Sequence, residues 1–561
     1  MHATTLPALP RRRLWLTMAG LVLAMLLAAL DQTIVGTAMP RIIAELNGFD
    51  HYAWVTTAYM LASTAVVPIV GKLSDMYGRK IFLVGGVVFF LGASMLCGLS
   101  QDMVQLSLFR GLQGLGAGVL MGTIFTVISI LFPPAERGKV QGIFSAVFGF
   151  ASIAGPLLGG YLTDNLTWRW VFYVNLPVGL IALAVLWLAF TDIRTGHARG
   201  GVDYWGATTL VLGVVPLLLA LTWGGRDYAW TSPQVLGLLA LAALMLGSLL
   251  VIETRVAEPI IPLDLFRNRV VTMSIVASTL MSVGMFGVIV YLPLFIQAVM
   301  GTSATASGTV LAPMMVAMFG ASIAAGQIVS RTGRYKAMGV GGLVVGTVGL
   351  SLLAVMPADA DYGTILRNMV IVGTGIGCTF PVFVVAAQNA IGLRQIGVVT
   401  SLTQFCRQIG ATLGVAVFGS VLVTRFTPAF HEALAPDVAT RVPPEWLARF
   451  DNPQALVNPE ALAQIHQGMT ALGPSGAEAF AALLDATRLG LATALHEVFL
   501  AGAVLLALGT VAALFVPELP LKRYERGGPP VEAMAPPAPA PADGEAAERA
   551  VALRGGGRGA A

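Results

Sequence analysis

The stretch GKLSDMYGRK, Gly71 to Lys80, decides how this chain folds. It carries four charged side chains, while the nineteen residues on either side of it, 52–70 and 81–99, carry none. An apolar run of about 20 residues is long enough to cross the hydrocarbon core of a bilayer as a helix. We therefore interpret Gly71–Lys80 as a loop, called the hinge below, that joins two membrane-spanning helices.

The rest of the chain repeats this pattern. Only 11% of its 561 residues are charged and 56% are hydrophobic, whereas a soluble domain holds about 25% charged residues. Lipid offers backbone groups no hydrogen-bonding partner, so each apolar run is predicted to be a helix. The first run is longer than the apolar core of a signal peptide, so we expect it to stay in the protein. The fourteen predicted spans are Leu14–Ala38, Tyr52–Val70, Ile81–Leu99, Met103–Leu131, Val140–Leu162, Trp170–Phe190, Tyr204–Trp223, Val235–Ile252, Val270–Ala298, Ala304–Val329, Ala337–Met356, Tyr362–Gln388, Thr400–Val423 and Leu489–Val516.

Basic residues are unevenly divided between the two sides of this predicted membrane. An even number of spans places both termini on one side, and the short loops of the other side hold only Arg41, Arg169 and Arg226. Loops rich in Lys and Arg stay in the cytoplasm. We therefore predict a multi-pass protein of the cell membrane with a cytoplasmic hinge and cytoplasmic termini, including residues 1–13. The net charge of +4 is dispersed over these loops and does not indicate nucleic acid as a partner. The residues predicted on the cytoplasmic side are Arg11, Arg12, Arg13, Lys72, Arg79, Lys80, Arg137, Lys139, Arg194, Arg199, Arg255, Arg267, Arg269, Arg331, Arg334, Lys336, Arg394, Lys522, Arg523 and Arg526.

A second stretch of the same kind, GQIVSRTGRYK, lies at Gly326–Lys336. Glycines and arginines recur between the two parts of the chain at offsets of 255 to 257 residues, which indicates a duplicated six-span unit. The offset covers eight predicted spans, so two spans are extra and lie between the copies. Parallel halves with a site between them at the midplane are a known plan for transporters. The paired positions are Gly71 with Gly326, Gly78 with Gly333, Arg79 with Arg334, Arg110 with Arg367, and Arg137 with Arg394.

The predicted fold is therefore an all-α integral membrane protein built in halves. One six-helix bundle covers 14–190, two additional spans cover 203–253, and the second bundle covers 254–424 and 489–516. Residues 425–488 are predicted to form an extracytoplasmic loop, with short helices in PEWLARF and PEALAQIHQGMTALG. The Pro/Ala-rich composition of 527–561 predicts a disordered cytoplasmic tail.

Several motifs resemble those of the major facilitator superfamily, specifically its fourteen-span drug:proton antiporters. The hinge resembles the superfamily's loop signature between spans two and three. The resemblance implies the major facilitator fold and proton-driven antiport of amphipathic, often cationic, drugs by alternating access. It also implies a monomer that needs no cofactor and whose partners are its small-molecule substrate, protons and lipid. The other motifs are LDQTIVGTAMP (Leu30–Pro40), LFRGLQGLGAG (Leu108–Gly118), GFASIAGPLLGG (Gly149–Gly160) and WRWVFYVNLPVG (Trp168–Gly179).

Within the hinge, Gly71, Asp75, Gly78 and Arg79 are the candidate conformational latch. The glycines permit a tight backbone path, and the resemblance implies that this segment holds its helices in the outward-open state. The alternative is a loop whose basic residues only set the orientation. Ser330 stands in the second copy where Asp75 stands in the first, so we expect a weaker or different latch there.

Asp31 and Arg110 are the candidate proton-coupling pair. Each lies about 12–13 Å inside the outer end of its span, at 1.5 Å per residue. Charges at such depth face the protein interior or water, and the resemblance places both spans around a central cavity. An acid there can hold either a proton or a cationic substrate. The alternative is a static ion pair that joins two helices.

The fifth span carries the glycines and proline that resemble the antiporter motif. These residues are Gly155, Pro156, Gly159 and Gly160. Proline removes a backbone hydrogen bond and small residues allow close helix approach. The pattern predicts either a bendable helix that lines the cavity or a simple kink.

The second half contributes further candidates for the substrate cavity, in addition to Asp31. Met and aromatic side chains adapt to varied apolar shapes, although the same residues also suit lipid-facing or packing positions. Arg367 and Arg407 have no acidic residue inside spans nine to thirteen to pair with. The cavity candidates in this half are Met285, Phe286, Tyr291, Gln404 and Arg407.

The sequence argues against other classes of function. No P-loop continues from the Gly-Lys pairs at Gly71 and Gly138, so ATP-driven transport is not expected. The six histidines are scattered, and Cys97, Cys378 and Cys406 lie inside spans as small apolar residues, so neither a metal site nor an enzyme is predicted. Export of a lipid or glycolipid by the same fold is the alternative function, and a non-transporting sensor is a third.

Overall fold

A computed structural model describes residues 10–46, 52–191, 201–225, 227–301, 304–357, 360–392, 395–434, 459–470 and 474–521, with 442, 447 and 450. The regular elements in these parts of the chain are all helices. They are α1 Arg11–Leu46, α2 Tyr52–Tyr77, α3 Arg79–Leu99, α4 Met103–Leu131, α5 Pro134–Asn165, α6 Trp170–Tyr173, α7 Asn175–Ala189, α8 Tyr204–Trp223, α9 Pro233–Glu253, α10 Arg269–Leu294, α11 Ala304–Thr332, α12 Tyr335–Ala354, α13 Tyr362–Thr379, α14 Val382–Asn389, α15 Ile396–Ala433, α16 Pro459–Thr470 and α17 Pro474–Leu514.

Within the described residues, fourteen spans are long and apolar enough to cross a membrane, which confirms the predicted number. Helices α6 and α7 together make the sixth span, and α13 and α14 together make the twelfth. A 3₁₀ turn at Leu263–Arg267 precedes α10, and a π-helical turn at Phe295–Val299 extends it. Side-chain oxygens cap several helix starts, for example Asp102 at α4 and Asp361 at α13, where they accept otherwise unpaired backbone N–H groups.

The six spans of each half pack in the same pattern. In the first half α4 contacts α2 and α3, α1 contacts α5 and α7, and α3 contacts α7. In the second half α13 contacts α11 and α12, α10 contacts α15 and α17, and α12 contacts α17. Each contact of the first half therefore has its counterpart in the second, as the predicted fold class of two six-helix bundles requires.

Both hinge stretches turn at a single glycine rather than along a loop. Helix α2 continues to Tyr77, Gly78 has φ of 102°, and α3 begins at the next residue. In the second copy Gly333 has φ of 74° between α11 and α12. Residues that carry a side chain rarely adopt such positive φ values. The charged residues of the hinge accordingly lie on helix ends, where their side chains are held in defined positions.

The two halves meet along a seam at the end of the molecule that carries both hinges. Helix α2 of the first half packs on α15 of the second, and α5 packs on α11. These two contacts are counterparts under the repeat, since α11 corresponds to α2 and α15 corresponds to α5. The additional spans α8 and α9 pack on each other, and α8 also contacts α2 and α15. Helix α8 therefore bridges the seam from the side.

Two predicted boundaries differ from the structure. Helix α15 continues to Ala433 and α17 begins at Pro474, so both enter the segment 425–488 that was predicted as a loop. Phe430 and Leu483 are buried in these extensions. The prediction looked only for apolar runs long enough to cross lipid, so it did not include helical residues that pack on protein beyond such a run. The helix predicted in PEALAQIHQGMTALG is α16.

Several predictions lie partly or wholly outside the described residues. Most of PEWLARF, the N-terminal residues 1–9 and the tail 527–561 are among them. The basic residues in this category are Arg194, Arg199, Arg226, Arg394, Lys522, Arg523 and Arg526.

Candidate functional site

Asp31 and Arg110, which the sequence predicts as a pair, are in direct contact. Arg110 Nη1 lies 2.6 Å from Asp31 Oδ2, and the residues are 2% and 0% exposed. Asp31 lies on α1 and Arg110 on α4, so the pair joins two helices in the core of the first half. Each charge compensates the other at a depth where an isolated charge is costly.

Two amides that the sequence analysis did not single out complete the site. Gln113 Nε2 donates to Asp31 Oδ1 at 2.7 Å, and Asn175 Nδ2 donates to the same oxygen at 2.9 Å. Both amides are buried. Gln113 follows Arg110 by three residues and so shares its helix face, and Asn175 lies in the quoted motif WRWVFYVNLPVG. These positions in the sequence could have indicated that both residues belong to the site.

The arginine is fixed by groups from other helices. Its guanidinium lies 4.2 Å from the ring centroid of Tyr59, and its Nε donates to the backbone carbonyl of Val55 at 3.3 Å. Arg110 Nη1 also donates to Gln113 Oε1 at 2.7 Å. The result is a carboxylate with N–H donors on both oxygens, so a proton or a cation that binds Asp31 has to weaken or replace one of these bonds.

The hinge acid Asp75 forms a second buried charge site. It pairs with Arg79, four residues later at the start of α3, and both side chains are buried. The Asp75 carboxylate also accepts a hydrogen bond from the backbone N–H of Val398, in the first turn of α15. The start of a helix has unpaired N–H groups and favours negative charge. Asp75 therefore links the first hinge to the second half across the seam.

Glycines allow the helices to approach closely at both contacts of the seam. A Cβ on Gly71 would lie 3.2 Å from the carbonyl oxygen of Gly397 and would overlap the side chain of Ser401. At the counterpart contact, a Cβ on Gly138 would lie 3.1 Å from the Cα of Gly326. Larger residues at these positions would separate the helices, so the glycines permit the closed seam.

A further ion pair connects the hinge to the segment that follows the additional spans. Lys72 Nζ lies 2.6 Å from Glu258 Oε2. On the same side, Lys80 Nζ donates to the backbone carbonyl of Trp187 at 2.8 Å. The hinge is thus bonded to α15 of the second half, to the segment after α9 that contains Glu258, and to α7.

Comparison with known proteins identifies the family of this protein. Residues 21–415 match the profile of the Major Facilitator Superfamily. The chain belongs to this superfamily. The chain is 40% identical over 519 residues to "Multidrug transporter protein MdtP" of Bacillus subtilis (strain 168), an alignment that covers 90% of this chain and 93% of that protein.

Two further comparisons give a second relative by sequence and a solved structure with the same fold. "Multidrug resistance protein 3" of the same organism is 40% identical over 417 residues, covering 74% of this chain and 81% of that one. Among solved structures, the proton:xylose symporter XylE aligns with a TM-score of 0.56 and 14% identity over 93% of this chain and 99% of that chain. At that identity the likeness describes the facilitator fold alone.

The glycines of the antiporter motif in this facilitator divide into two groups. Gly155 and Gly159 face α1, where an added Cβ would overlap Thr33 and Thr37. A Cβ on Gly160 would meet nothing within 4 Å. Pro156 lies inside α5. Gly155 and Gly159 therefore permit the close packing of α5 on the helix that carries Asp31.

The cavity candidates of the second half lie on α10 and α15. Met285 is buried in the core of this half, and Phe286 packs against that core. The hydroxyl of Tyr291 donates to the backbone carbonyl of Val415 at 2.8 Å. Arg407 Nη1 donates to Gln404 Oε1 at 3.1 Å. Tyr291 therefore joins α10 to α15, while Gln404 and Arg407 bond to each other on α15.

The structure also gives the exposure of Arg367 and of the three cysteines, which the sequence analysis placed inside spans. Arg367 is exposed and donates to the side-chain oxygen of its neighbour Asn368 at 3.2 Å. Cys97 is buried, and Cys378 and Cys406 are half-buried.

Proposed function

We propose that this facilitator is a proton-coupled antiporter that exports amphipathic small molecules across the cell membrane by alternating access. The observation that carries the proposal is the buried Asp31 carboxylate, which shares its oxygens among Arg110, Gln113 and Asn175. A buried carboxylate of this kind can take up a proton, and its protonation state determines how three helices are bonded to one another. The relatives named as multidrug transporters support the substrate class.

Protonation of Asp31 would change the bonding at the centre of the first half. A neutral acid carries a donor O–H and no charge, so it no longer balances Arg110 and accepts fewer strong hydrogen bonds. The contacts of α1 with α4 and α7 would then weaken. Proton uptake thereby favours a different arrangement of these helices, which is what coupling transport to a proton gradient requires.

The seam supplies the second part of the mechanism. Asp75, Arg79 and Val398 hold α2 against α15 in the arrangement described here, and glycines hold α5 against α11. With both hinges and both termini in the cytoplasm, this seam closes the cytoplasmic side. Opening and closing it would alternate access to the centre, driven by the proton gradient and without a bound cofactor.

The direct test uses the full-length protein, reconstituted in liposomes with a pH-sensitive dye inside. An imposed proton gradient should be dissipated faster when an amphipathic drug is added, and the drug should move against its own gradient. Drug movement that is independent of the proton gradient would contradict the proposal. A response confined to lipid or glycolipid substrates would favour the alternative function of this fold.

A further inference from the structure

Arg407 is a buried cation without a counter-charge. The residue is 9% exposed and lies on α15, about 16 Å along the helix from its start at Ile396. Among the described residues no carboxylate lies within ion-pair distance of its guanidinium, and its Nε has no hydrogen-bond partner. The position is therefore inside a membrane span and is electrostatically unbalanced.

Two other buried arginines of this protein do have a carboxylate partner. Arg79 is paired with Asp75, and Arg110 is paired with Asp31. An unpaired buried charge costs several times more than a paired one, and inside a membrane such residues commonly mark a path for substrate or ions. An arginine at this depth with no carboxylate beside it therefore points to a charge that arrives with a ligand.

The hydrogen bonding around Arg407 is incomplete on one edge of the guanidinium, the edge formed by Nε and Nη2. Gln404 accepts from Nη1, while Nε is covered by protein and has no hydrogen-bond partner among the described residues. That edge is the one that binds a carboxylate through two parallel N–H···O bonds. The face of the guanidinium lies 3.6 Å from the ring centroid of Phe380, so an apolar aromatic surface adjoins the charge.

Arg407 also lies next to the face of α15 that meets the first half. Ser401 on this helix packs against Gly71 of α2 and lies near Gly122 of α4. Gln404, which bonds Arg407, follows Ser401 by three residues and so continues the same helix face. Opening of the seam would therefore expose this region first to the interior between the halves.

We propose that Arg407 binds the anionic group of the substrate, a carboxylate on an amphipathic molecule whose apolar part contacts Phe380. This inference rests on the proposed export function and specifies its substrate class. The family resemblance implies substrates that are often cationic. In this structure, however, Arg110 already neutralises Asp31, so the buried charge left uncompensated among these residues is positive.

The binding test compares two probes that differ only in charge. They are a dansyl-tagged alkyl carboxylate and a dansyl-tagged alkyl trimethylammonium of equal chain length, titrated into purified full-length protein. The carboxylate should bind the wild type more tightly than the ammonium. Arg407→Gln should weaken carboxylate binding about tenfold or more, as expected for loss of a charge-assisted hydrogen bond, and should change ammonium binding by less than about twofold. Arg407→Lys should recover part of the loss, because lysine keeps the charge but not the planar edge.

The control is Arg367→Gln, which removes an exposed arginine of α13 that donates to Asn368. It should leave binding of both probes unchanged. Equal weakening of both probes by Arg407→Gln in a folded protein, or no effect on the carboxylate, would overturn the proposal and leave Arg407 as a packing residue.

Proton flux in liposomes separates this inference from the proposed function. If neither probe drives proton exchange in the wild type while other amphipathic drugs do, the function holds and the substrate class is wrong. If no compound drives exchange, the proposed function itself fails. Exchange driven by the carboxylate, and lost in Arg407→Gln but not in Arg367→Gln, supports both.

Discussion

A single carboxylate, Asp31, is bonded by side chains from two other helices. Arg110 and Gln113 come from α4 and Asn175 comes from α7, while Asn175 also donates to Ser94 of α3 at 3.0 Å. If Asp31 takes up a proton, as we propose, its bonds to α4 and α7 would change together. A static ion pair would need only Arg110, whereas this carboxylate accepts from three side chains.

Replacing Asp31 should separate the two interpretations. Asp31→Asn should abolish substrate-linked proton exchange, since an amide does not titrate near neutral pH, and Asp31→Glu should keep partial activity. The measurement is internal pH in liposomes after addition of substrate. Asp485→Asn, at an exposed acid with 72% of its side chain accessible, is the control and should behave like the wild type. Full exchange by Asp31→Asn would point to Asp164 or Glu253 as the carrier.

Asp75 presents the corresponding question at the hinge. In Asp75→Asn the Arg79 guanidinium would stay buried without its carboxylate, and the start of α15 would lose a negative group. Transport should fall while the protein still inserts and folds. Asp264→Asn, at an acid whose side chain is 87% exposed, is the control. Normal transport by a folded Asp75→Asn protein would leave the hinge with only its role in orientation.

At the scale of elements, the seam between α2 and α15 depends on the absence of side chains. A Cβ on Gly397 would overlap the Asp75 carboxylate, so this contact closes only with glycine. The counterpart contact between α5 and α11 adds a hydrogen bond from Ser322 to Ser145 at 3.4 Å. Opening the seam, as the proposed function requires, would break the bond from Val398 to Asp75 and this hydroxyl contact.

Gly397→Val should hold the seam open. Forcing a side chain into a packed contact costs about 1–3 kcal/mol, which shifts an equilibrium about fivefold to about 150-fold. Spin labels placed on the hinge ends of α2 and α15 should report a longer distance, and transport should slow. The control is Gly341→Val on α12, where an added Cβ meets nothing within 4 Å. An unchanged distance in Gly397→Val would show that the seam tolerates a side chain.

At the scale of the whole molecule, the spans thirteen and fourteen continue beyond the apolar core as a packed pair. Gly490 of α17 lies against the backbone of Phe430 on α15, where a Cβ would come within 2.8 Å. Helix α16 packs on α17. The described part of segment 425–488 is therefore an extension of the second half.

Removing parts of segment 425–488 should destabilise the protein according to the buried side chains that are lost. Replacing residues 435–473 with a brief flexible linker removes α16 with buried Ile465 and Met469, so the unfolding temperature should fall. Deleting 425–488 should destabilise the protein further, because it also removes buried Phe430 and Leu483. Thermal unfolding of the purified variants measures both effects. An unchanged unfolding temperature in the shorter deletion would show that α16 does not stabilise the second half.

The number of spans and their division into halves followed from the sequence alone. Lipid imposes a local rule, because every backbone group within the membrane has to be bonded inside its own segment, and an apolar run of sufficient length records this directly. The repeat was readable because glycines such as Gly78 and Gly333 serve the same backbone turn in both copies. The pairing of Asp31 with Arg110 was predictable from their common depth. The orientation, the membrane and proton coupling remain predictions.

Only the tertiary structure decided which groups meet. Asn175 reaches Asp31 from 144 residues away, Asp75 bonds the start of α15, and Arg407 remains without a carboxylate. No local pattern specifies such contacts, because they depend on how helices from distant parts of the chain are placed side by side. The ends of α15 and α17 were missed for a related reason. Only one face of each extension is buried, and it is buried against protein, so the average hydropathy of these stretches is too low to indicate a span.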